Sequence, residues 1–164
     1  MSMKPATAPS ALRVQEALGS GFQVLEFEAS TKTAADAAAA VGTTVAQIAK
    51  SMIFRTVETD RSVLVVTSGS ERVDEARVSA VLGEEIGRAS AAFVRERTGF
   101  AIGGVSPVAH IVPPVVLIDQ TLAQFDTIWA AAGTPNAVFQ LTFSELLTLT
   151  SGKIADVIVT PDAA

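Results

Sequence analysis

Three short stretches carry residue types able to do chemistry. Residues 45–54 read VAQIAKSMIF, and set Lys50 and then Ser51 among apolar and small neighbours. The chain has only four lysines, at positions 4, 32, 50 and 153, so one beside an apolar strand pattern needs a reason. An unpaired buried ammonium is costly. Two readings are open. The stem packs and the ammonium snorkels to water, or the ammonium meets a phosphate or carboxylate at the floor of a cleft. Residues 99–107, GFAIGGVSP, make a tight loop whose glycines let backbone approach a ligand closely. Such a loop can aim N–H groups inward as an oxyanion hole does, or be an ordinary helix-to-strand connection. Residues 132–136, AGTPN, form a turn.

Other chemistries lack their residues. There is no cysteine, which removes disulfides, thiolate metal ligation and a cysteine nucleophile. The single histidine, His110, cannot build a multi-histidine metal site, so no metal is expected. Ser106 lies four residues from His110, yet the flanks of a hydrolase nucleophile elbow are missing. His110 reads as a loop histidine satisfied by backbone. The Ser68-Gly69-Ser70 stretch is too short for a phosphate loop, and no Gly-Lys-Ser/Thr follows. Trp129 sits in a strand pattern and reads as core, not as a base-stacking platform.

The elements that must position these residues follow from periodicity and caps. Ser10 caps a helix with Ala11, Val14 and Leu18 on one face, stopped by Gly19 and Gly21. Residues 25–28 alternate as a half-buried strand. Thr33 with Asp36 opens an alanine-rich helix ending at Gly42. Thr44 with Gln47 forms a second capping box, predicting a short helix that delivers Lys50 to a strand over 51–56. A turn at 58–61 makes a hairpin with 63–67, whose run Val63-Leu64-Val65-Val66 is apolar on both faces like a central strand. Helices follow over 74–82 and 90–98, then strands over 115–119, 128–132 and 137–141. A helix capped by Thr142 and Glu145 and a strand over 154–159 end the pattern. No regular βαβ rhythm appears, so the class is α+β: a mixed, twisted sheet with flanking helices. Residues 1–9 and 160–164 read as loose tails around one domain spanning 1–164.

The totals bound the partners. Of 164 residues, 49% are apolar and 18% charged, enough for a core. The net charge of −5 gives no global basic field for DNA or other long nucleic acid, though a local basic pocket for one nucleotide end is compatible. Arg72, Arg77, Arg88, Arg95 and Arg97 could form such a patch or be ordinary solvated arginines. No apolar run approaches the ~20 residues of a membrane span, and residues 1–9 lack a signal-peptide core, so a cytoplasmic protein is expected.

Taken in order, QIAKSMIF, VLVVTSGSERVD, TGFAIGGVSPVAHIVPPVVLID and IWAAAGTPNAVFQLTFSELLTLTSGKIADV resemble the YbaK/EbsC family. These are aminoacyl-tRNA deacylase domains related to the editing insertion of bacterial prolyl-tRNA synthetase. The resemblance runs from residue 10 to residue 159. It implies a mixed, barrel-like sheet with flanking helices and a trans-editing hydrolase without cofactor. That hydrolase cleaves the ester between a wrong amino acid and the tRNA 3′ end. The family lysine corresponds to Lys50, expected to hold the phosphate or backbone of the acceptor end, with Ser51 beside it. The glycine loop corresponds to Gly103, Gly104, Val105, Ser106 and Pro107, expected to position ester and water through backbone. Lys50 and Gly103 are the catalytic candidates. Gly133 and Thr134 correspond to a loop lining the pocket, but many relatives carry serine or histidine where Thr134 stands, so no side-chain role transfers there. The implied partner is the acceptor end of an aminoacylated tRNA, with prolyl-tRNA synthetase as a further candidate. The implied substrate is tRNA(Pro) bearing alanine or a similar small residue. The alternatives are Cys-tRNA(Pro), a module that binds charged tRNA or a synthetase without turnover, and a pocket for another nucleotide-linked anion. An aminoacyl ester is already activated, so a positioned water, backbone donors and an orienting cation suffice.

Overall fold

The computed structural model describes residues 3–31 and 33–160. The expected tail positions 1, 2 and 161–164 lie outside the described residues. The strands are β1 (Met3–Pro5), β2 (Val24–Phe27), β3 (Ile48–Thr56), β4 (Ser62–Ser68), β5 (Ile86–Arg88), β6 (Val115–Asp119), β7 (Ile128–Ala131), β8 (Ala137–Leu141) and β9 (Lys153–Ala155). The helices are α1 (Pro9–Leu18), α2 (Ala34–Val41), α3 (Glu75–Leu82), α4 (Ala91–Thr98) and α5 (Phe143–Thr150).

The strands form one mixed sheet in the order β1-β2-β8-β7-β3-β4-β6-β9, with β5 also on β3. Pairings β3–β7, β4–β6 and β6–β9 are parallel, and the others antiparallel. The order is an open path with β1 and β9 at its ends, so the sheet does not close into a barrel. Strand β4 is buried along its whole length, as its two-faced apolar run predicts. Leu64 and Val66 join a core with Val14, Phe100, Phe139 and Leu146. Val63 and Val65 join another with Val78, Leu117 and Val157. Each such fully buried side chain contributes about 1.5–3 kcal/mol.

The predicted caps at Thr33 and Thr142 form, but Ser10 does not cap α1: Pro9, preset for the first helical turn, starts the helix earlier with Ala8 at its N-cap and no side-chain cap bond. The Thr33, Asp74, Ser90 and Thr142 side chains each accept a backbone N–H at a helix start. The Thr44–Gln47 box, however, closes only a 3-10 turn over Val45–Gln47. No helix delivers Lys50. Ile48 is already extended and pairs with β7, so sheet hydrogen bonds on both edges of the chain override the box. The tail expected over 1–9 is a strand at Met3–Pro5, paired with β2. Glu26 on β2 anchors the turn between β1 and α1, accepting Thr7 N–H at 2.7 Å, Ala8 N–H at 2.8 Å and the Thr7 hydroxyl at 2.9 Å. Burial pushes this carboxyl up, but those three donors outweigh it and hold it below its ordinary range. The last strand is shorter than expected. The buried Asp119 carboxylate takes the Val157 N–H at 3.0 Å, and Asp156 turns out to Arg77 at 2.9 Å, which ends the ladder at Ala155. Beyond it only Ile158 bridges Val73. The three-residue β5 falls between two helices and has no sequence signature.

Candidate active site

The site lies where the sheet forks. On one edge β3 pairs with β4 throughout, from Ala49–Ser68 to Arg55–Ser62. On its other edge β3 pairs with β7 only at Ile48 and Ala49, and with β5 only from Phe54 onward. Lys50, Ser51, Met52 and Ile53 therefore span a gap with no strand register on that side. A cleft of about 440 Å³ opens there. The loop that follows α4 covers it, bringing Gly103 and Val105 against β3. A smaller cavity of about 80 Å³ adjoins it, with Ala37, Trp129, Ala131 and Val138 in its wall. Four residues line both cavities: Lys50, Ser51, Gly103 and Val105.

Lys50 is half-buried on β3, and its ammonium donates to the Glu71 carbonyl at 2.9 Å. Burial lowers its pKa below the usual lysine range; Arg72 repels the charge and adds to this, while Glu71 opposes it. Arg72 and Arg88 line the same cleft, as does one carboxylate, Glu75. Other arginines are spent elsewhere. Arg77 pairs with Asp74 and Asp156, Arg97 and Arg55 with Asp60, and Arg61 with Glu84. Of the five arginines marked in the sequence, Arg72 and Arg88 reach the cleft and Arg95 lines neither cavity.

The two loops singled out by sequence meet each other. Gly103 has φ 95°, a left-handed backbone that side chains resist. A Cβ on Gly104 would stand 2.8–3.0 Å from the backbone of Thr134, so the two loops touch main chain to main chain. Thr134 is turned into its own turn, its hydroxyl donating to the Asn136 amide oxygen at 2.9 Å. Gly104, Ser106, Pro107, Gly133 and Thr134 thus line neither cavity; they stand behind the wall that Gly103 and Val105 present. Ser106 is fully buried and its hydroxyl accepts Val108 N–H at 3.1 Å, which leaves it no nucleophilic role. His110 braces the same loop: Nε2 meets the Ser106 carbonyl at 2.6 Å. A carbonyl only accepts, so Nε2 carries the proton. Burial lowers the imidazole pKa, opposed by that carbonyl and aided by Arg13. Arg13 in turn sits 4.2 Å over the Phe100 ring and donates to the Thr98 and Ala109 carbonyls, tying the loop to α1.

Sequence reasoning missed Trp129 as a cavity wall, and it marked Arg72 and Arg88 only among five arginines without separating them from the three that stay off the cleft. Arg72 carried a faint signal, as a cation in the glycine turn after the central strand. Nothing in the sequence singled out Arg88 from the other marked arginines or put Trp129 at a cavity, because their placement depends on β5 and on the fork.

A family model described as the aminoacyl-tRNA editing domain matches residues 28–149. The chain belongs to the aminoacyl-tRNA editing domain family. The uncharacterized protein YwhH of Bacillus subtilis (strain 168) is 35% identical over 131 residues, 80% of this chain and 83% of that protein. A crystal structure of a "putative trans-editing enzyme for prolyl tRNA synthetase" is 42% identical, with TM-score 0.89, covering 94% of this chain and all (100%) of that one. A scaffold protein from work on epitope backbone grafting is 39% identical, with the same TM-score of 0.89 and the same 94% and 100% coverage. The resemblance read from the sequence motifs is borne out at the level of family and fold. Among the described residues no helix is long and apolar enough to cross a membrane, and no cluster of histidine and carboxylates fit for a metal occurs.

Proposed function

We propose that this editing domain is a trans-acting deacylase that removes alanine, or a residue of similar size, from mischarged tRNA(Pro). The observation that carries the reading is the wall shared by the two cavities. It unites the Lys50 ammonium, Ser51 and the Gly103–Val105 backbone at one place. An ester lying at this wall would send the terminal nucleotide into the large cleft, where Lys50, Arg72 and Arg88 offer positive charge. It would send the amino-acid side chain into the smaller cavity, where Ala37, Trp129, Ala131 and Val138 stand beside Thr31 and Thr33 and whose size favours few carbons. Such a pocket separates neighbouring side chains by about 1–3 kcal/mol per methylene, so it excludes large residues better than it separates small ones. Lys50 would orient the anionic end, and loop N–H groups would stabilise the developing oxyanion.

The test is deacylation of tRNA(Pro) charged with alanine, cysteine, serine or 2-aminobutyrate, by wild type and Lys50→Ala. Turnover of one or two members that drops about 100-fold or more in Lys50→Ala, with unchanged circular dichroism, is the expected outcome. Binding of charged tRNA without turnover of any member would favour a non-catalytic module.

A further inference from the structure

The gap in β3 leaves the main chain of Ser51 without a strand partner inside the cleft; Ile53 faces the same way but adjoins the β5 pairing that begins at Phe54. The Ile48 carbonyl accepts from Gly69 N–H, and Thr56 N–H donates to the Arg61 carbonyl, both on the β4 side. The register between those points is unbroken, so the even-numbered residues of β3 bond to β4. Alternation turns the N–H and C=O of Ser51 the other way, into the gap. No strand reaches Ser51 there, and no loop backbone bonds to it among the described residues. Its hydroxyl oxygen is also buried and without a partner. Ser51 lines both cavities, where the ester of the proposed substrate would lie.

We infer that Ser51 seats the aminoacyl group as one added residue of sheet. Its carbonyl accepts from the substrate's α-ammonium, and its N–H donates to the ester carbonyl oxygen. This rests on the deacylase reading. An extended aminoacyl group presents its nitrogen and its carbonyl oxygen on one side, as a strand residue does. It can therefore exchange both bonds with Ser51 as an antiparallel pair does. The α-ammonium needs such an acceptor, because Lys50 and Arg72 make the cleft unfavourable for a further cation. The same two bonds would serve any amino acid, leaving discrimination to the side-chain cavity.

The experiment compares alanyl-tRNA(Pro) with propionyl-tRNA(Pro), which lacks only the ammonium. Each enzymatic rate is divided by the spontaneous rate of the same ester. The expected result is an acceleration at least about tenfold greater for the alanyl ester, the scale of a lost hydrogen bond to a charged donor. Equal acceleration of both overturns the inference and leaves the deacylase reading standing. No acceleration of any ester in the panel overturns both. A second measurement identifies the acceptor. Titration of the ¹⁵N-labelled protein with 3′-alanylamido-3′-deoxyadenosine should move the Ser51 amide downfield. An ammonium-dependent rate with the Ser51 amide unmoved overturns the inference and shifts the role to another group, Glu75 first.

Discussion

Lys50 is held ready without being neutralised. Its ammonium has one carbonyl partner, at Glu71, and no carboxylate ion pair among the described residues. Burial and the Arg72 charge both favour its neutral form, so it loses its proton at lower pH than an exposed lysine does. A basic group with a depressed folded pKa costs stability while it is protonated; stability therefore rises with pH from the folded value to the unfolded one of about 10.4. Four lysines make side-chain titration by NMR tractable. Lys50 is expected to titrate below the ordinary lysine range, and Arg72→Met to move it upward by removing the repelling cation. An unmoved value would mean that burial alone sets it. Under the proposed function, an anionic substrate end would offset this cost at binding, which would account for the residue types at 50 and 72.

At the scale of elements, two loops and one strand make the site, and they are coupled by contact. The backbone of Gly104 rests on that of Thr134, and His110 and Arg13 hold the loop from behind. Gly104→Ala is expected to cost about 1–3 kcal/mol by overpacking and to lower kcat/KM by displacing Gly103 and Val105 from β3. Gly21→Ala, where an added Cβ meets nothing within 4 Å, is the control. Chemical denaturation with steady-state rates checks both, and equal behaviour of the two variants would refute the coupling. Much of this was legible in the chain. The caps at Thr33 and Thr142, the two-faced run at 63–66 and the GGVSP loop are local patterns that survive folding, while the Ser10 cap gives way to a helix start at Pro9. What sequence could not show is non-local. The Thr44 box lost to the pairing of Ile48 with Trp129, and Met3–Pro5 is a strand only because β2 offers an edge. Lys50, Ser51 and the start of the glycine loop meet in the fold, while Gly104, Ser106, Pro107, Gly133 and Thr134 support the wall without forming its surface.

For the whole molecule, a net charge of −5 and a polyanionic substrate are reconciled by distribution. Arginines at 55, 61, 77 and 97 are consumed by carboxylates on the surface, while three cations face the cleft. Under the proposed function, such a molecule would repel the body of a tRNA and accept its tip. With three phosphate-facing cations, the affinity for a stable 3′-amide alanyl-tRNA(Pro) should fall with salt at a log–log slope of about −2. Arg88→Ala should flatten the slope by roughly 0.7. A slope several times steeper would require a second, extended contact surface.

The fork in the sheet also leaves a kinetic imprint. A chain edge without partners is normally a hazard, since other strands can add to it. Here the opening is one gap between β7 and β5, too short to template a foreign strand and roofed by the Gly103 loop. Water still enters where the substrate would. Ser51 should therefore exchange its amide hydrogen far faster than Lys50 and Met52, whose N–H groups bond to β4. Hydrogen-exchange NMR on the free protein would find fast exchange at Ser51, with Ile53 on the same side of the gap, within one of the best-protected strands, and a bound aminoacyl analogue should slow Ser51.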